Sequence, residues 1–81
     1  MQKDEDLYRQ YLSGDETGLD SLMQRYGNSL TLYINGYLHD LHGAEDLMIE
    51  VFAYVFTKKP HIRDGGLKAY LYKAARHMAL R

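Results

Sequence analysis

With 81 residues the chain has room for one small domain, residues 1–81, and a chain of this size buries only roughly 60–65% of its unfolded surface. Having no cysteine excludes disulfides, thiolate zinc sites, iron–sulfur clusters and cysteine nucleophiles, while one proline and seven scattered glycines exclude collagen-like and low-complexity classes. The net charge of −1 conceals two opposed halves: residues 1–55 hold three basic and ten acidic groups (net −7), and residues 56–81 hold seven basic groups and Asp64 alone (net +6).

Taken in chain order, the apolar spacing is helical throughout and no strand-like alternation occurs. Leu7, Tyr8, Tyr11 and Leu12 predict a short first helix that Ser13-Gly14 ends. Asp15 then reads as an N-cap, and Glu16 adds negative charge to the first turn of the next helix. Gly18 inside that turn is an unfavourable choice, by about 1 kcal/mol relative to Ala. From Leu19 a stripe runs through Leu22, Met23, Tyr26, Leu30, Tyr33, Ile34 and Tyr37 to Leu41, with Gly43 as the next break. Leu47, Met48, Val51, Phe52, Val55 and Phe56 form a third stripe, closed by Lys58-Lys59-Pro60. A turn at Asp64-Gly65-Gly66 precedes a last helix with Leu67, Tyr70, Leu71, Ala74, Ala75 and Met78 on one face. The expectation is an all-α bundle of one short and three longer helices. The last helix meets no stop signal before Arg81, so the sequence is expected to be a fragment of a longer protein. No apolar run nears the roughly 20 residues that span a bilayer, and the N-terminus has no signal-peptide pattern, which makes the cytoplasm the expected location.

Catalytic patterns are missing: no glycine-rich phosphate loop, no His-Glu-x-x-His pair, no serine or threonine in a nucleophile setting. His39-Asp40-x-His42 with Glu45 and Asp46 fits no recognised metal spacing and reads as a solvated helix junction, so no metal, cofactor or enzymatic activity is expected. Two other groups carry more. Glu45, Asp46 and Glu50 lie off the third stripe and face outward beside Ile49; carboxylates there complement the helix dipole, yet with a branched apolar neighbour they also suit a protein partner. From Lys58 to Arg76, Lys59, Arg63, Lys68, Lys73 and Arg76 interleave with Tyr70 and Tyr72. Cations so spaced neutralise successive phosphates, and aromatic rings stack on unpaired bases. By helical position Tyr70 shares the buried stripe, whereas Tyr72 and Lys73 point away from it.

Four segments in register then resemble region 2 of bacterial sigma factors, most closely the extracytoplasmic-function group. They are Gly14-Asp15-Glu16 leading into Leu22-Met23-Gln24-Arg25-Tyr26; Ala44-Glu45-Asp46-Leu47-Met48-Ile49-Glu50-Val51-Phe52; Ile62-Arg63-Asp64; and Lys68 through Ala79. The resemblance covers roughly residues 5–81. It implies a domain that binds the clamp helices, a coiled coil in the β′ subunit of RNA polymerase, and recognises the promoter −10 element as it melts. By position the polymerase contact falls to Glu45, Asp46, Ile49 and Glu50. The segment from Pro60 to Leu67, with His61, Arg63 and Asp64, would hold a base flipped from the non-template strand. Tyr70, Lys73, Arg76 and His77 would meet the upstream edge of the melted segment, with Lys59, Lys68 and Tyr72 completing the DNA side. No ATP is involved, so opening must be driven by binding: extracting a base costs a few kcal/mol, offset by stacking of about 1–3 kcal/mol per base. A C-terminal helix-turn-helix domain and an anti-sigma partner are further implications, and no membrane partner is.

The chain departs from the family pattern at Ile49, where Gln is usual, at Tyr70 for Trp, at His77 for Asn, and at Gly43 for an acid. These changes blur which promoter sequence would be read. The alternative function is a non-catalytic helical protein-interaction module of the same fold without promoter activity. On the sigma-like reading the acidic and basic surfaces are expected at opposite ends of the bundle.

Overall fold

The structure is a computed structural model describing residues 1–81, with four helices and no strand: α1 (Asp4–Leu12), α2 (Thr17–Leu38), α3 (Leu41–Lys58) and α4 (Leu67–Ala79). One short and three longer helices form an all-α bundle. Its core is built from the stripes themselves: Leu22, Leu30 and Ile34 of α2 meet Val51, Phe52, Val55 and Phe56 of α3, and Leu67, Leu71 and Ala75 of α4 close one side. Phe56 is central. It packs edge-on against Tyr8 (5.6 Å) and Tyr11 (4.9 Å) of α1 and lies 5.8 Å from Phe52.

Helix α1 is tied down by charge as well as packing. Asp4 accepts hydrogen bonds from Arg25 (2.7 Å) and from the Tyr26 hydroxyl, and Arg25 also donates to the Gln2 carbonyl at 2.8 Å. Burial, followed by the bond to Asp4, pushes the Tyr26 hydroxyl up to about 12. At the next turn α2 begins at Thr17, and Asp15 caps it from just upstream: its carboxylate accepts from the Thr17 backbone N–H (3.0 Å) and hydroxyl (2.7 Å), and from Gln10 (2.8 Å). Those bonds, the Thr17 hydroxyl first, hold the Asp15 carboxyl below its ordinary value.

Two glycines differ from what their place in the sequence suggests. At Gly18, a Cβ would stand 2.3 Å from the Leu7 carbonyl oxygen and 3.0 Å from the Tyr11 nitrogen. The close approach of α1 and α2 therefore requires glycine, and tertiary contact overrides helix propensity. Gly43 is not a break. The chain turns at His39, whose φ of 52° and N–H bond to Asn35 O (2.9 Å) end α2, and Gly43 sits in the first turn of α3. The apolar series continues across the corner to Leu41, so periodicity alone hides one left-handed residue. A Cβ at Gly43 would lie 2.8 Å from a carboxylate oxygen of Asp40. At the far end of α3, Lys59 adopts φ 49° and donates its N–H to Val55 O (3.0 Å), and Pro60 prevents continuation.

Candidate nucleic-acid and protein interface

The outer side of α3 is a strip of two helical rows. Leu41, Glu45, Ile49 and Ala53 form one, His42, Asp46, Glu50 and Tyr54 the other, and all eight are exposed. Ile49 is 53% exposed. The four residues expected to meet a protein partner, Glu45, Asp46, Ile49 and Glu50, therefore share one open surface, with Leu38 and Leu41 extending its apolar part toward the α2–α3 corner.

The basic half divides more finely. A small pocket of ≈ 270 Å³ lies between the 59–66 loop and the start of α4, lined by His61, Ile62, Arg63, Tyr70 and Lys73 with Gly66 and Ala69. Tyr70 and Lys73 also line a larger groove of ≈ 630 Å³ that continues along α4 past His77 and Met78 to Arg81, with Tyr54 of α3 on its other bank. Thus five of the ten residues expected on the DNA side (His61, Arg63, Tyr70, Lys73 and His77) line these two adjoining hollows, which share Tyr70 and Lys73 and together form the trough. The other five do not join it. Lys68, Tyr72 and Arg76 form a separate i, i+4 row on α4. Lys59 sits with its ammonium 5.7 Å from the Tyr11 ring, and the Asp64 carboxylate accepts from Arg9 at 3.1 Å, so both face α1.

The two tyrosines exchange the places that helical position suggests for them. Tyr70, expected in the buried stripe, is 37% exposed in the trough. Tyr72, expected to point away, is half-buried with its ring 4.9 Å from Tyr33 of α2. The two stand on either side of the fully buried Leu71. Helix α2 covers one flank of α4 and leaves the flank toward Tyr54 open, which periodicity cannot decide.

Electrostatically, Lys58, Lys59, Arg63, Lys68, Lys73 and Arg76 form no ion pair, whereas Asp4, Asp6 and Asp64 are engaged by Arg25 and Arg9. The cations of the rear half are available to an external anion. The acidic and basic surfaces are not at opposite ends of the bundle: they meet where Glu50 of the strip comes within 4.0 Å of Arg81 at the groove's edge, and where Tyr54 belongs to both. The reason is packing order, since α3 and α4 are neighbours and the open sides of both face the same way.

Tyr54, Leu80 and Arg81 are trough residues that no sequence pattern above assigns to a site, and Met78, read as part of the inward stripe, also lines it. The one signal is for Arg81, since Lys73, His77 and Arg81 recur every four residues. No group of three or more His, Asp or Glu side chains gathers as a metal site, and no helix is long and apolar enough to cross a membrane. No family model, curated protein or solved structure matches the chain.

Proposed function

We propose that this chain acts in transcription initiation as a sigma-factor region 2 of the extracytoplasmic-function type. The α3 strip grips the β′ coiled coil of RNA polymerase, and the trough holds the non-template strand of the −10 element. The observation that carries the reading is the trough itself: two compartments sharing Tyr70 and Lys73, lined by Arg63 and Lys73, cations without ion-pair partners, and by exposed rings. A single strand needs that combination, since cations replace its counterions and rings replace its lost stacking. The loop pocket takes one unstacked base and Tyr70 separates it from the strand's continuation along Lys73 and His77. Beside the trough, an acidic strip with apolar Ile49 and Leu41 repels phosphates and favours a protein. The reading assigns binding work only and no chemical step.

The exposed apolar side chains at the α2–α3 corner, Leu38 and Leu41, favour a second reading, a protein-interaction module. An anti-sigma protein would use the same surface. Titrating the 81-residue chain with a β′ clamp-helix fragment and, separately, with a single-stranded A/T-rich oligonucleotide divides the two. Reversing Asp46 and Glu50 to Lys is expected to weaken clamp-helix binding tenfold or more, by about 1.4 kcal/mol, without weakening strand binding. Arg63→Ala and Lys73→Ala are each expected to reduce the salt slope of strand binding by about 1. Intact clamp binding after the double reversal refutes the α3 assignment, and salt-independent strand binding refutes the phosphate role.

A further inference from the structure

Helix α1 holds the 59–66 loop and the turn leading into it at three points. The Tyr8 hydroxyl donates to the Pro60 carbonyl at 2.5 Å, fifty-two residues away in sequence. The Tyr11 hydroxyl donates to the Phe56 carbonyl at 2.8 Å, in the last turn of α3. The Arg9 guanidinium, itself braced by Asp6 at 2.9 Å, donates to Asp64 at 3.1 Å. These bonds grip the loop at its start, just before its start, and at its far turn. Within the loop the backbone supplies little of its own: the Lys59 N–H closes α3 and the Gly66 N–H bonds to Arg63 O, with no other backbone hydrogen bond donated by residues 59–66. The conformation of the pocket wall at His61, Ile62 and Arg63 is therefore held mainly from outside, by these bonds to α1 and by Ile62, which packs against the core.

We propose that Tyr8, Arg9 and Tyr11 are positioning residues for the loop pocket, holding residues 59–66 in the shape that receives an unstacked base. The proposal rests on the strand-binding reading above. Hydroxyl bonds to carbonyls are suited to this work because they fix the backbone without adding charge near phosphates. Asp64 is the only acid in the basic half, and its pairing with Arg9 turns a repulsive group into part of the brace. The Tyr8 hydroxyl is raised from its ordinary value by burial first and then by the neighbouring Tyr70 and Tyr11.

The test uses Tyr8→Phe, which keeps the ring packed on Phe56 and changes no charge, together with Arg9→Gln and its conservative counterpart Arg9→Lys. The probe is a single-stranded A/T-rich oligonucleotide containing 2-aminopurine, whose fluorescence rises when the base leaves the stack. Tyr8→Phe is expected to weaken strand binding about two- to tenfold and to lower the fluorescence gain at saturation, with clamp-helix binding unchanged. Arg9→Gln is expected to behave likewise, by about two- to fivefold, and Arg9→Lys to recover most of the loss. A second readout needs no DNA: trypsin cleavage after Arg63 is expected to accelerate in Tyr8→Phe and Arg9→Gln, because cutting requires the loop to open locally. Equal losses of strand and clamp-helix binding, or an undiminished 2-aminopurine signal, overturn the positioning role. Should the unsubstituted chain bind no strand, the strand-binding reading fails instead, and unaltered cleavage after Arg63 then refutes the brace on its own.

Discussion

The strip on α3 and the trough beside α4 differ in how many parts of the chain they need. The strip is one side of one helix: two rows at four-residue spacing, complete once residues 41–54 are helical and their other face is buried. The trough is assembled from the 59–66 loop, α4 and Tyr54 of α3, and its loop wall is held by Tyr8 and Arg9 of α1. A surface carried by one helix survives small shifts between helices. A surface shared by four segments follows each of them. Substitutions that loosen packing should therefore damage the trough long before they damage the strip.

The severest way to break the contrast is Phe56→Ala. It removes the ring against which Tyr8 and Tyr11 pack, and a loss of about 3–5 kcal/mol of stability is expected in chemical denaturation. Next comes Gly18→Ala. Helix propensity alone favours the change by about 1 kcal/mol, but the new Cβ would meet the Leu7 carbonyl, so a net loss of about 1–3 kcal/mol is expected. Because the clash sits under α1, trypsin cleavage after Arg63 should rise in parallel.

Gentler changes sharpen the comparison. The Tyr26 hydroxyl is raised from 10.0 to about 12 in the folded chain, so its contribution is fully present below pH 10 and is lost as pH rises toward about 12. A pH series of denaturation midpoints is expected to fall over that window, and Tyr26→Phe to flatten the fall. At the other extreme, Ile49→Ser on the exposed strip is expected to change stability by no more than about 0.5 kcal/mol, while still weakening clamp-helix binding. A large stability change there would mean that the strip is not the independent surface described.

Much of the fold is legible in the order of residues alone. Leu22, Leu30, Val51, Phe52, Phe56, Leu67 and Leu71 all fall on the stripes and all are buried, because helical periodicity is local and a helix must bury its apolar side. For the same reason Glu45, Asp46, Ile49 and Glu50 can be put on one outward surface. The charge asymmetry is readable, but its geometry is not. Asp4, Asp6 and Asp64 count toward the charge of each half, yet the fold pairs them with Arg25 and Arg9.

What escapes the sequence is everything that depends on which helix covers which flank. Tyr70 and Tyr72 stand two positions apart on one helix with the same chemistry, and only the packing of Tyr33 decides that Tyr72 is covered and Tyr70 open. The corner at His39 escapes because one left-handed residue leaves the apolar spacing intact. Gly18 looks unfavourable because propensity describes an isolated helix, whereas its need is set by backbone atoms of α1. The sequence by itself determined four helices, their inward faces and the sign of charge along the chain, since those follow from interactions within a few residues. The tertiary structure alone decided the trough, its brace by Tyr8 and Arg9, and the meeting of acid and base at Glu50 and Arg81, because each joins residues far apart in the chain.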